Sequence, residues 1–258
     1  MRTDAPTPTS ALHSIAGFQF ETLQMNMMGH KGGGCIAENQ DRVLQRHLDV
    51  NGAEVLVLAV ADGVSRCPKG GAIATYLIDN HLNLDPLFDH PRLGIGRQKS
   101  ARLPAALRTY LRQLNRRFYP EFESDPAMLD SACTLSVALL ENTTAHCLWV
   151  GDSPIYLARI EHGCFVTEQL SVPDLCGRLL IDCFGANAPF NLKYLRTELK
   201  LGDVLVVASD GVARHPEIFS AMLNDFGPTP RLLQAIEANS KSAAFYDDAS
   251  LILAHRVA

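Results

Sequence analysis

The chain has no CxxC pair, and its seven cysteines, at 35, 67, 133, 147, 164, 176 and 183, are odd in number. A disulfide framework and a Cys-type zinc site are both excluded by that spacing. Cysteines scattered within apolar stretches behave as small hydrophobes and suit a reducing, cytoplasmic compartment. No apolar run approaches the ~20 residues that cross a bilayer, so no membrane insertion is expected. Residues 1–16 contain Pro, Thr and Ser without a long apolar core, which argues against a secretion signal and for a flexible N-terminus. Positive charge is not in excess either. The net charge is -5, so no general nucleic-acid surface is implied, and the basic residues between Arg112 and Arg117 read as one solvated helix face.

What is present is an ordinary globular composition, 47% hydrophobic and 20% charged. Strands are expected over Phe18–Met28, Val43–Leu44 and Val55–Val60, with Asn51-Gly52 as a hairpin turn between the last two. A helix is expected over Gly70–His81, followed by a long loop over 83–103 rich in Pro, Gly and charge. Pro104 suits the first turn of a helix whose Leu107, Leu111, Leu114 and Phe118 share one face. Thr134–Leu140, Thr144–Val150 and Ile155–Ile160 read as a meander, with a short strand at Phe165-Val166. Leu195–Leu199 and Val204–Ala208 read as strands around Leu201-Gly202-Asp203. Helices near Pro216–Leu223 and Pro230–Asn239 precede a closing strand, Leu251–His255. Strands and helices thus come in groups, which favours an α+β layered architecture over a doubly wound parallel sheet. Residues 17–258 are expected to form one domain.

Acidic turns recur at the ends of apolar runs. Val55–Ala61 closes on Asp62-Gly63, Cys147–Val150 on Gly151-Asp152-Ser153, and Val204–Ala208 on Ser209-Asp210-Gly211, while Asp247-Asp248 precedes Leu251–Ala254. One Asp-Gly pair is a common turn. Four acids at strand mouths, where an unpartnered carboxylate is costly, point to a shared partner. Oxygen donors select a hard divalent cation such as Mg²⁺ or Mn²⁺, and the glycine leaves its carbonyl available as a further ligand. Two such ions ~3.5–4 Å apart lower the pKa of a shared water and can present it to phosphorus.

Six segments in order, Asn39-Gln40-Asp41-Arg42, Val60-Ala61-Asp62-Gly63-Val64, Ala132-Cys133-Thr134-Leu135, Val150-Gly151-Asp152-Ser153, Ala208-Ser209-Asp210-Gly211-Val212 and Asp247-Asp248-Ala249-Ser250, resemble the metal-dependent protein phosphatases of the 2C type, the PPM family, in its bacterial form. The resemblance implies two stacked antiparallel β-sheets flanked by helices, a four-layer αββα sandwich. It implies a binuclear Mn²⁺ or Mg²⁺ centre with Asp62 bridging, the Gly63 carbonyl on one ion, and Asp210 and Asp247 completing the ligands. Asp41 would hold metal-bound waters, and Asp152 with Asp210 would serve a weaker third ion. The implied reaction is attack of activated water on phosphoserine or phosphothreonine of a protein, opposing a cognate Ser/Thr kinase in signalling.

The chain departs from the family pattern in several places. Gln40 replaces a usual Glu, Ile36 stands where many members carry a phosphate-gripping Arg, and Val64-Ser65-Arg66 lacks a His that follows the Asp-Gly turn. Lys31, Arg42 and Arg66 are candidate replacements for the Arg, although each alone reads as a solvated cation. Ser171–Arg178 is expected to be a reduced flap beside the cleft. His30, His162 and His215 read as solvent-facing turn residues, and Gly32-Gly33-Gly34 as a turn without the Lys-Ser/Thr of a phosphate loop. Ile36 and Gln40 motivate an alternative: a catalytically weak, phosphatase-like module that binds a phosphoprotein or regulator.

Overall fold

The computed structural model describes residues 9–29, 38–50, 53–82, 103–177, 179–185, 191–212, 215–242 and 247–258. Residues 83–102 of the loop expected over 83–103, the Asn51-Gly52 turn, Gly32-Gly33-Gly34, Lys31, His30 and Ile36 lie outside them, and Leu103 is the first residue of a helix.

The apolar runs become strands buried on both faces. β4 (Ala53–Ala61) and β12 (Val204–Ala208) are interior strands. Side chains alternate across a strand, so Val55, Val57, Ala59 and Ala61 enter one core while Leu56, Leu58 and Val60 enter another. β12 divides likewise, Val204, Val206 and Ala208 to one side and Leu205 and Val207 to the other. Burial on both faces is why these segments read as continuous apolar runs rather than as alternations.

β4 lies in a five-stranded antiparallel sheet with β3 (Arg42–Val50), β5 (Leu135–Glu141), β6 (Thr144–Val150) and β11 (Lys193–Glu198), in the order β11-β6-β5-β4-β3. β12 lies in a six-stranded antiparallel sheet with β1 (Thr9–Ile15), β2 (Phe18–Met27), β7 (Ile155–Glu161), β8 (Cys164–Gln169) and β13 (Ala249–Arg256), in the order β1-β2-β13-β12-β7-β8. A two-stranded hairpin, β9 (Leu175–Cys176) with β10 (Leu179–Leu180), stands apart.

Three cores make four layers. Leu56, Leu58, Leu140, Leu157, Val207 and Ile252 fill the space between the two sheets. Helices α1 (Gly70–Leu77) and α2 (Leu103–Glu121) cover the five-stranded sheet, with Leu107, Leu111, Leu114 and Phe118 of α2 in that core as the spacing predicts. The short helix α3 (Pro126–Leu129) follows α2, capped by Asp125, which accepts the Met128 N–H. Helices α4 (Pro216–Phe226) and α5 (Pro230–Ser240), each opened by proline, cover the six-stranded sheet through Phe219, Leu223, Leu232, Leu233 and Ile236. The architecture is the expected αββα sandwich.

The structure changes some of the sequence readings and completes others. Residues 9–15 of the expected flexible terminus form β1, paired residue for residue with β2 from Thr9↔Gln24 to Ile15↔Phe18; residues 1–8 lie outside the described set. The expected meander breaks at Gly151–Pro154, because β7 leaves β6 and pairs with β12 and β8 in the other sheet. β11 and β12, the strands expected around Leu201-Gly202-Asp203, belong to different sheets. The helix expected over Gly70–His81 is α-helical only to Leu77 and continues as a π-helical turn over Ile78–Leu82. Six described cysteines form no disulfide, and Cys133 and Cys147 are buried. No described helix is long and apolar enough to cross a membrane.

Candidate metal centre

Strand register brings the acidic turns to one end of the sandwich. Arg42 pairs with Ala61, so Asp41 before β3 and Asp62 after β4 leave their sheet together. Leu135 pairs with Val150, which puts the Asp152 turn at that same end. In the other sheet Ala208 pairs with Leu251, so Asp210 after β12 and Asp247 before β13 also leave together.

Hydrogen bonds then lock the two sheet ends to each other. Ser209 Oγ donates to Asp41 Oδ2 at 2.8 Å and accepts the Ser250 N–H at 2.9 Å. The Gln40 N–H donates to Asp248 Oδ2 at 3.0 Å, and the Gly29 N–H to Asp248 Oδ1 at 2.6 Å. Asn39 Oδ1 caps the Asp41 N–H at 2.8 Å, and Asn26 Oδ1 accepts from both Asn39 Nδ2 and Ser250 Oγ. Thr134 Oγ1 accepts the Asp62 N–H at 3.2 Å and lies 2.5 Å from Ser153 Oγ, tying the Asp62 turn to the Asp152 turn.

The glycines serve close approach rather than turn geometry. A Cβ on Gly63 would lie 2.4 Å from the Gly70 carbonyl carbon, and one on Gly211 would lie 1.8 Å from the Asp248 carbonyl oxygen. Each Asp-Gly pair therefore marks a place where two backbones touch, a use of glycine that sequence alone does not separate from a turn.

Electrostatics shows the convergence directly. Burial, then the neighbouring charges of Asp41, Asp210, Asp247 and Asp152, push the Asp62 carboxyl well above the usual carboxylate range. Asp41 is fully buried and is pushed up to about 7, chiefly by burial, with the Ser209 and Ser250 hydroxyls opposing the rise and Asp248 adding to it. Asp41 Oδ1 meets no donor among the described residues, while the Asp62 carboxyl is near enough to share a proton with Asp41.

All five sequence-predicted acids thus influence one point. They are not closed into a cage: among the described residues no group of three or more His, Cys, Asp or Glu is disposed to enclose an ion. The donor set still fits a hard cation, being made of carboxylates that repel one another and one buried carboxylate oxygen without a donor. Asp152 and Asp210 also line a cavity of about 140 Å³ with Pro154, Tyr156, Gln169, Pro173 and Leu175. The last two belong to the expected flap, Ser171–Arg178, of which Leu175-Cys176 forms β9 and Arg178 lies outside the described residues.

The candidate phosphate-binding cations fare differently. Arg42 turns inward, Nη1 donating to the carbonyls of Asn39 at 2.8 Å and Asp41 at 2.7 Å, so it braces the loop that carries Asp41. Arg66 is exposed, as are His162 and His215. Gln40 is buried, with Oε1 lacking a partner among the described residues, and its Cα would lie 3.1 Å from a Cβ on Gly71. Sequence reasoning missed Asn26, Thr134, Ser209, Asp248 and Ser250 as braces of the site. The only signal for most of them was their place beside the acids.

A family model described as Protein phosphatase 2C matches residues 36–244. No curated protein matches significantly. Among solved structures, the fold is similar to the S. agalactiae serine/threonine phosphatase, with a TM-score of 0.72 at 16% identity over 93% of this chain and 100% of that one. It is similar to the catalytic domain of the serine/threonine protein phosphatase PstP in complex with two manganese ions, with a TM-score of 0.65 at 20% identity over 93% and 99%. It is also similar to Stp1 from Staphylococcus aureus, with a TM-score of 0.70 at 15% identity over 91% and 94%.

Proposed function

This chain belongs to the protein phosphatase 2C family, the metal-dependent serine/threonine protein phosphatases, and from that premise we propose that its acidic centre holds two Mn²⁺ or Mg²⁺ ions for hydrolysis of phosphoserine and phosphothreonine in a signalling phosphoprotein. The observation that carries the proposal is the convergence of Asp41, Asp152, Asp210 and Asp247 on Asp62. Bound divalent ions would neutralise these acids and activate a water for attack on phosphorus. Asp62, the Gly63 carbonyl, Asp210 and Asp247 are the proposed ligands. Asp41, oriented by Ser209 and Asn39, would accept a hydrogen bond from that water and fix its direction. Asp152 with Asp210 would hold a weaker third ion. The phosphatase domain would run from β1 rather than from residue 17, since β1 is part of the six-stranded sheet. A cognate Ser/Thr kinase in the cytoplasm would supply the substrate. Retention of every acid supports hydrolysis over the phosphoprotein-binding module suggested by Ile36 and Gln40.

Phosphate release from a phosphopeptide by the purified protein tests this. Turnover should require Mn²⁺ or Mg²⁺, and Asp62→Asn and Asp210→Asn should each lower kcat by about 10² or more. Turnover in EDTA, or full activity in both variants, would overturn the mechanism.

A further inference from the structure

Residues 170–174 run back over the turn that carries Asp152 and are tied to it on both sides. On one side the Gly151 N–H donates to Asp174 Oδ2 and the Asp174 N–H donates to the Gly151 carbonyl, each at 3.0 Å. On the other, the Ile155 N–H donates to Ser171 Oγ and the Leu170 N–H to the Ile155 carbonyl, each at 2.8 Å. Between these ties the Val172 carbonyl accepts from Trp149 Nε1 at 3.0 Å and from Lys193 Nζ at 3.1 Å. Lys193 Nζ also pairs with Asp174 Oδ1, and the two side chains are only 26% and 11% exposed. Both Asp174 oxygens are therefore engaged, in a partly buried position where a charge-assisted hydrogen bond is stronger than at an open surface.

The turn has little room to drift in other directions. Gly151 sits at φ +95°, and a Cβ there would stand 2.7 Å from Thr134 Cγ2. Thr134 is the residue whose hydroxyl holds the Asp62 N–H, so the turn is pressed between Asp174 and the support of Asp62. Pro173 and Leu175, the neighbours of Asp174, line the same cavity as Asp152 and Asp210.

We propose that Asp174, held by Lys193, is a positioning residue for the phosphatase reaction: it fixes the Gly151-Asp152 turn and so sets the placement of Asp152 relative to Asp210 across the cavity. The inference rests on the reading of these acids as a divalent-cation centre. It locates the effect in cation affinity at the Asp152–Asp210 pair and in the fit of substrate, not in the chemical step near Asp62.

Mn²⁺ calorimetry on the metal-stripped full chain, paired with phosphopeptide kinetics at saturating Mn²⁺, tests it. Asp174→Ala should weaken the weakest Mn²⁺ step about tenfold, the scale of one charge-assisted hydrogen bond. It should raise KM several-fold while kcat stays within about twofold. Asp174→Asn keeps an oxygen for the Gly151 N–H but no charge for Lys193, and should fall between. Lys193→Met should shift the same Mn²⁺ step without removing the Gly151 contact, which covers the case in which Asp174→Ala does not fold. An unchanged isotherm in Lys193→Met and in Asp174→Asn overturns the proposal. So does a parallel loss at every Mn²⁺ step with kcat falling alongside KM. A wild-type chain that binds no Mn²⁺ overturns the metal-centre reading itself, so the two failures are distinct.

Discussion

Ser209→Ala removes one oxygen from the seam between the two sheets. Ser209 and Ser250 are fully buried, as is Asp41. The lost hydroxyl donates to Asp41 Oδ2 at 2.8 Å and accepts the Ser250 N–H at 2.9 Å. A hydrogen bond to a charged group contributes about 1.5–3 kcal/mol, and a buried N–H left without an acceptor costs about 1–3 kcal/mol. These overlap because Asp41, pushed up to about 7, is only partly ionised at neutral pH. A net loss of about 3 kcal/mol is expected. For a chain of this size that corresponds to a Tm lower by roughly 6–12 °C. Urea unfolding of the EDTA-treated protein, followed by the fluorescence of Trp149, the only tryptophan, reports it directly. Ser242→Ala is the control, since Ser242 Oγ donates to the nearby Asn239 carbonyl at an exposed helix end; its change should stay within about 0.5 kcal/mol. A loss below about 1 kcal/mol for Ser209→Ala would show that the seam is not held by this hydroxyl.

Asp62→Asn removes a carboxyl whose folded pKa is raised by burial and four neighbouring acids. The wild-type folded state thus binds that proton more tightly than the unfolded chain and loses stability as pH rises, so without metal the Asn variant should melt above wild type at pH 8 and converge with it in acid, in thermal scans. The Mn²⁺-dependent gain in Tm should vanish in the same variant. Gly211→Ala, with its Cβ 1.8 Å from a backbone oxygen, should cost about 3 kcal/mol or more or prevent folding. Gly163→Ala, at φ +85° with nothing within 4 Å, should cost only about 1–2 kcal/mol in urea unfolding. Burial lowers the pKa of His146, so the unfolded chain takes up its proton first and stability is lost as pH falls below 6.5. His146→Gln should show a smaller drop in unfolding free energy between pH 7 and pH 5 than wild type.

The strands most legible in the sequence were β4 and β12, whose two-sided burial writes itself as an unbroken apolar run. Their partners were not legible. A period of two tells which face a side chain takes but not which strand lies beside it, so the departure of β7 from β6 at Gly151–Pro154 left no trace. β1 was missed because only Ile15 in it is buried. In the site the acids were visible because carboxylates at strand mouths are costly without a partner. Ser209 and Ser250 were not, since a serine beside an aspartate reads the same whether it braces a buried carboxyl or faces water. Arg42 was misjudged for a related reason: its charge was visible, while its inward turn toward two carbonyls depends on the loop it braces.

Four crossings between the sheets, after β2, after β6, between β8 and β11 and after β11, interleave both sheets along the chain. The six-stranded sheet joins only when β13 inserts between β2 and β12, pairing Met27 with Ala249 and Phe20 with Arg256. Contacts between segments on the order of 200 residues apart make for slow folding, because chain closure must precede the reward. During synthesis β2 must therefore wait, with one edge unsatisfied, until nearly all of the described chain has been made. Asp247 arrives immediately ahead of that strand, so the full set of acids cannot assemble before that segment has been made. A chain stalled before β13 would carry Asp62 and Asp210 yet lack both the last acid and the strand that aligns the two sheets, and cation binding would then report completed folding rather than guide it.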